Sequence, residues 1–401
     1  MGNYSLKVAP DEDRLRFLIE GRIDATAATE FSAAVAEARA DRPKGRMVFD
    51  CKGLEYISSA GLRVFLSLKK KEAAPIRLVN VSRGVAEILD VTGFSQLLDV
   101  SRAVRSISPK ECRFIGRSHS ISIYQMPDDT IMKVYPDGAT QEDVERERKN
   151  AQTALLNGIP TLIAYDVVEH EGSYGLLYER LKLDTVSSML DDMPWKLDKW
   201  AARMGELLRT VHAADPDPDA LPRTSALLEE QALAMEGLLN KREVWALIRL
   251  IRAIPQTQGI VYGKYHEHNV FIQKDELLLV NMADLSLGDP IHDLGTVYML
   301  HVLEAERFAK TFQNISATQL KRAWDVMIRA YLDTDDEEAV AACEQIVHAS
   351  GLLRSALYPA TARLSPEDEE RFVAIARRDV FPAIDHLAKQ LSLARSLAPD
   401  A

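Results

Sequence analysis

The sequence predicts an α/β domain, with a mixed sheet and packed helices, followed by a larger α+β domain of two lobes. Three observations predict this. The 401 residues are too many for one ordinary core. Strand-like and helix-like stretches alternate over the first hundred residues. After them a strand-rich stretch gives way, near Leu190, to a mostly helical one.

MVFD (47–50) is a short apolar run of the kind that makes a buried strand. Before it, Phe31, Ala34, Val35 and Ala38 fall on one helix face at i, i+3, i+4 and i+7. Leu62, Phe65 and Leu66 start a second helix that ends in LKKK. IRLVNV (76–81) is another strand, and Val85, Ile88 and Leu89 mark a third helix. Further on, FIGRSHSISIYQM (114–126) and TIMKVYPDG (130–138) read as strands. The helical stretch QEDVERERKNAQTALLNGIP is ended by Gly158 and Pro160. TLIAYDVV and YGLLYERL are two more strands, and VFIQKDELLLVN (270–281) is a hairpin inside the helical part. Trp195 and Trp200 flank a helix start and read as packing residues.

The composition is 47% apolar and 27% charged, as in ordinary globular domains. No apolar run is long enough to span a membrane, so no membrane insertion is expected. The opening MGNYSLKVAPDEDRLRF has no basic-then-apolar signal pattern. Cys51, Cys112 and Cys343 are far apart and form no CxxC pair, which fits a reducing, cytoplasmic setting. Residues 1–107 hold 17 basic and 14 acidic residues, and the remainder 32 and 46. That acidic larger part argues against nucleic-acid binding.

GRIDATAATEF (21–31), VFDCKGLEYISSAGLRVFLSL (48–68) and VTGFSQLLDV (91–100) resemble a STAS domain of the anti-sigma factor antagonist type. The resemblance spans residues 1–107. It implies that Ser59, or else Ser58, is phosphorylated by a partner kinase, and that Asp24, Gly61 and Leu62 serve partner docking. The expected partner is an anti-sigma factor or switch kinase. A phosphate at Ser59 would add about two negative charges and disrupt docking. Ser58 stands where well-studied members carry Asp. On spacing alone, Ser59 also reads as a helix N-cap.

The last part resembles aminoglycoside/choline-kinase-type phosphotransferases. After a linker at 108–112, the resemblance implies a kinase-like N-lobe at 113–182 and a helical C-lobe at 183–401. IMKVY places Lys133 at the ATP-phosphate lysine, and VERERK places Glu147 at its helix partner. YGLLYERL, with Glu179, resembles the adenine hinge, and Gly116 is the glycine kept in the phosphate-covering loop. VYGKYHEHNVFI corresponds to the catalytic loop. It puts Lys264 at the base position, His266 at a structural one and Asn269 at a metal one. LLLVNMADLSLGDPIHDLG puts Asn281 at the main metal carboxylate, with Asp284 three residues on and Asp289 and Asp293 at structural positions.

Phosphoryl transfer of this kind needs a carboxylate to orient the acceptor hydroxyl and take its proton. A lysine, with an ordinary pKa of about 10.4, is already protonated. Mg²⁺ prefers anionic oxygens, and asparagine is neutral. The sequence therefore points to a cytosolic bacterial regulatory protein. Its kinase-like part would be a pseudokinase, acting as a scaffold or as a sensor of ATP, ADP or another ligand, without Mg²⁺. The other reading is an active small-molecule phosphotransferase with non-standard catalytic residues.

Overall fold

A computed structural model describes residues 4–11, 14–41, 46–72, 75–118, 121–179, 184–362 and 364–394. The chain forms two compact units. One comprises Met1–Pro109 with Val168–Gly172, the other Lys110–Val167 with Ser173–Ala401.

The first unit opens with the antiparallel pair β1 (Tyr4–Asp11) and β2 (Arg14–Ile23). Helix α1 (Ala27–Asp41), β3 (Arg46–Ile57), α2 (Ser59–Lys71), β4 (Arg77–Val81) and α3 (Arg83–Val91) follow. The short α4 (Phe94–Leu97) and β5 (Asp99–Arg102) complete the fold. The sheet order is β1-β2-β3-β4-β5, with every pair after the first parallel, so the sheet is mixed as expected. In β2, Leu15, Phe17 and Ile19 alternate inward and are buried. Phe17 stacks on Phe49 at 4.6 Å, and Phe65 of α2 meets Phe49 edge-on at 5.0 Å. These rings carry α2 on the sheet, and α1 adds Phe31 and Val35 to the same core. Strand β6 (Arg105–Ser106) lies parallel to Val168–Glu169.

The second unit starts with β7 (Arg113–Ser118), β8 (Ile121–Gln125) and β9 (Thr130–Val134). Helix α5 (Gln141–Leu156), β10 (Ala164–His170) and β11 (Ser173–Glu179) follow. The strand order is β10-β11-β9-β8-β7. A capping box at Thr140 and Asp143 starts α5. Gly158, in the left-handed region at φ 76°, follows its end.

The helical part comprises β12 (Asp184–Thr185), α6 (Val186–Asp192), α7 (Leu197–His212), α8 (Thr224–Ala234) and α9 (Lys241–Ala253). Next come β13 (Ile260–Val261), the hairpin β14 (Val270–Gln273) and β15 (Glu276–Leu279), and β16 (Ser286–Leu287). Lys274 and Asp275 turn that hairpin with φ of 47° and 69°. Helices α10 (Ile291–Tyr298), α11 (Ala305–Phe308), α12 (Ala317–Leu332), α13 (Glu337–Thr361), α14 (Pro366–Ile375) and α15 (Ile384–Leu391) close the fold.

Helices α7 and α12 touch closely at Gly205, where a Cβ would sit 2.3 Å from the Met327 carbonyl oxygen. Trp200 packs in this core as expected. Trp195 does not: it lies on the short turn Pro194–Lys196, 76% exposed. Among the described residues no helix is long and apolar enough to cross a membrane.

Candidate functional site

The candidate site of the second unit is built on β9, α5 and two loops, one between β13 and β14 and one between β15 and β16. Lys133 of β9 reaches Glu147 of α5, Nζ to Oε1 at 2.7 Å, with both side chains buried. Tyr135 and Tyr178 donate their hydroxyls to the same carboxylate at 2.5 and 2.8 Å. Burial alone would raise the Glu147 pKa. The Lys133 charge and the three donated bonds outweigh it and hold the carboxyl below its usual range.

Lys133 also donates to Asn281 Oδ1 at 2.7 Å. Asn281 sits in the left-handed region, at φ 59° and ψ 58°, which asparagine tolerates well. Its Nδ2 donates to Asn269 Oδ1 at 2.7 Å, and Asn269 Nδ2 donates to the Lys264 carbonyl at 3.0 Å and to His266 Nε2 at 3.0 Å. A continuous chain of hydrogen bonds thus joins Glu147, Lys133, Asn281, Asn269 and the backbone at Lys264. The two residues expected at metal positions are amides bonded to each other, and the Asn281 oxygen already accepts from an ammonium. That donor set does not fit Mg²⁺, a hard cation that prefers anionic oxygen. Among the described residues no group of three or more His, Cys, Asp or Glu could hold a metal ion.

The Lys264 ammonium lies 2.8 Å from Asp284 Oδ2. Gly263 beside it has φ of 90°, and a Cβ there would come 3.0 Å from the Asp284 Cβ, so glycine is required. Asp293 holds this loop by accepting from the Tyr262 and Gly263 backbone N–H groups, both at 2.7 Å, and it contacts His212 Nε2 at 3.1 Å. Asp289 accepts from the Ile291 N–H at 3.1 Å, at the start of α10. Both aspartates are fully buried, in keeping with structural roles. Asn150 of α5 donates to the Met282 and Ala283 carbonyls at 2.8 and 3.3 Å, tying the helix to the Asn281 loop.

The sequence reading missed Asn150, Tyr135 and Tyr178. Asn150 was legible as a polar residue in line with Glu147 on α5, three positions on. Other expected residues are less engaged. Gly116 lies within β7, without positive φ, and a Cβ there would meet nothing within 4 Å, so no close backbone approach requires glycine. The Glu179 carboxylate accepts from the Ile163 N–H at 2.8 Å, which gives it a bracing role. His119 and Ser120 of the covering loop, and Arg180 and Leu181 of the hinge stretch, lie outside the described residues.

Burial depresses the His266 and His292 imidazoles to about 3, so both are neutral in the fold. Unfolding frees them to protonate near 6.5, their ordinary value. Their contribution is therefore complete above about pH 6.5 and is lost as pH falls toward 3, with a slope of up to about 1.4 kcal/mol per pH unit for each group. Urea midpoints of the second unit are expected to drop between pH 7.5 and pH 5. Midpoints that stay constant would contradict the assignment.

In the first unit the helix cap is Ser58, not Ser59. Ser58 is extended at φ −84° and ψ 168°, and its Oγ accepts from the Gly61 N–H at 3.3 Å. Ser59 is the first residue of α2 and is exposed. Exposed Asp24 accepts from the Thr26 and Ala27 N–H groups, both at 2.9 Å, at the start of α1. Gly61 and Leu62, expected in docking, are buried. A Cβ on Gly61 would come 2.7 Å from Ile23 Cγ2, so both residues seat α2 on the sheet and offer no surface to a partner.

Residues 6–107 match the model of the STAS domain, and residues 113–327 that of the phosphotransferase enzyme family. The anti-sigma-B factor antagonist of Bacillus subtilis is 29% identical over 105 residues, 25% of this chain and 92% of that protein. BtrV of Bordetella bronchiseptica, a proposed anti-sigma factor antagonist, is 31% identical over 88 residues, 21% of this chain and 75% of that protein. Among solved structures, a choline/ethanolamine kinase family protein from Mesorhizobium loti aligns at 14% identity and a TM-score of 0.47, covering 70% of this chain and 92% of that one. ADP-bound aminoglycoside phosphotransferase APH(2'')-Ib aligns at 13% identity and 0.44, covering 70% and 94%.

Proposed function

We propose that this chain, which belongs to the phosphotransferase enzyme family and carries a STAS domain ahead of that part, is a regulatory protein whose phosphotransferase-like unit transfers no phosphate. The observation that carries the reading is the closed chain from Glu147 through Lys133, Asn281 and Asn269 to the Lys264 backbone. It occupies with amides the two positions where the reaction needs metal-bound oxygens. Lys264, at the base position, donates where a base must accept. The unit then serves as a scaffold or as a sensor of a nucleotide or other ligand. The STAS domain docks an anti-sigma factor or switch kinase, and phosphorylation of Ser59 releases it. The setting is the cytoplasm.

Calorimetric titration with ATP and ADP, with and without Mg²⁺, tests the first half of this reading, together with an assay of ATP turnover. The expected result is no turnover, and no increase in affinity when Mg²⁺ is added. Lys264→Asp combined with Asn281→Asp restores the two carboxylates, and this double variant is expected to show turnover that the native chain lacks. Mg²⁺-dependent binding with turnover in the native chain, abolished by Asp284→Asn, would instead establish an active phosphotransferase that uses Asp284.

A further inference from the structure

Beside the Lys264 loop lies a cavity of about 230 Å³, lined in part by Arg354, Lys264, Asp284, Gln231, Thr224 and Ser286. Its charges do not balance locally. Lys264 and Asp284 pair with each other at 2.8 Å. Arg354, on α13, has no carboxylate partner among the described residues. Among the described residues its one hydrogen bond runs from a terminal nitrogen to the Gly263 carbonyl at 3.3 Å, and its Nε, shut off from solvent, meets no acceptor. The nearby Asp293 already accepts from two backbone N–H groups and contacts His212.

A guanidinium has five N–H donors in a planar fork suited to a carboxylate or phosphate. Leaving such a cation half-buried, with a buried Nε that no acceptor meets among the described residues, is costly. On the same cavity wall the Gln231 Oε1 is buried and accepts from no donor among the described residues. Two unmet requirements therefore line one cavity, an anion for Arg354 and a hydrogen-bond donor for Gln231. Thr224 and Ser286 bond to each other at 2.9 Å, which leaves one hydroxyl hydrogen to share.

We infer that this cavity binds a small oxyanion, a carboxylate or a phosphate, that also carries a hydroxyl or amine. Arg354 holds the anion with help from Lys264, and Gln231 accepts from the donor group. The inference names the class of ligand that the non-catalytic unit would sense, and it rests on that reading only for what binding achieves. Burial lowers the Arg354 pKa, with Asp293 and Asp284 opposing the shift, and a bound anion would relieve it.

The full chain is titrated calorimetrically with inorganic phosphate, acetate and glycolate, at constant ionic strength set by chloride. Saturable one-site binding of phosphate or of glycolate is expected, and which of them binds tells a phosphate ester from a hydroxy acid. Arg354→Gln is expected to weaken it at least tenfold. Lys264→Met, at a half-exposed site, is expected to weaken it less. Gln231→Leu should remove any advantage of glycolate over acetate. Absence of saturable heat, or equal affinity in the native chain and in both cation variants, would overturn the inference. ATP plays no part in these titrations. Anion binding lost in a chain without turnover ends this inference alone, and anion binding kept in a chain that turns over ATP ends the regulatory reading alone.

Discussion

Replacement of Glu147 by alanine is expected to cost the second unit about 3–5 kcal/mol, the usual penalty for removing one partner of a buried ion pair. The reason lies in what remains. Lys133 is 7% exposed and would lose its one counter-charge among the described residues, keeping the neutral Asn281 oxygen as its acceptor. Tyr178 would lose the acceptor of a buried hydroxyl, and Tyr135 that of a half-buried one. Lys133→Met should cost less, because a flexible apolar chain of similar length fills the space while Glu147 keeps two donors. Urea unfolding of the second unit measures both. A loss below about 1 kcal/mol for Glu147→Ala would show that the pair is already hydrated. Because the Glu147 carboxyl is held low, its contribution is full above its ordinary value of 4.5 and disappears as pH falls through the depressed one. The difference between native chain and Glu147→Ala should therefore shrink at acid pH.

Ser59→Asp is expected to weaken partner capture by the STAS domain at least tenfold, about 1.4 kcal/mol, while Ser59→Ala leaves it near native. Ser59 is exposed at the first position of α2, and the capping bond belongs to Ser58, so substitution costs the helix no cap. A negative charge in the first turn is mildly favourable to the helix itself. Loss of binding would then reflect the altered surface and not unfolding. Co-purification from the source cells, with capture compared across native chain, Ser59→Ala and Ser59→Asp, measures this. Equal capture of one partner by all three forms would end the phosphoswitch reading. Ser58→Ala separates the two serines. It should lower thermal stability through the lost cap, by about 1 kcal/mol, and leave the switch intact.

Much of this was legible in the sequence, for reasons that differ by element. Helix α1 announced itself because Phe31 and Val35 share one face. The hairpin of β14 and β15 did so because Lys-Asp separates two apolar runs. The pair β1 and β2 went unread, although Leu15, Phe17 and Ile19 alternate as a half-buried strand must. The choice between Ser58 and Ser59 as cap could not be made, since both are serine and the backbone angle at Ser58 decides it. Motif spacing located Lys133 and Asn281. Their contact spans 148 positions, and no local pattern reports it. Arg354 carried a signal of its own: a lone cation within GLLRSALYP, on a helix otherwise buried there.

The chain of amides through Asn281 and Asn269 also bears on what single substitutions can do. An aspartate at 281 alone would keep a partner in Lys133 but delete the N–H that holds Asn269. An aspartate at 264 alone would face Asp284 in place of the lysine that now pairs with it. Each substitution is penalised by itself, so a cleft with both carboxylates is reached only through a less stable single variant. The present residues are interdependent: each one's replacement is costly while the others stay. They stabilise the cleft with the protein's own side chains, so, on the regulatory reading proposed above, no single one of these substitutions is expected to yield phosphoryl transfer.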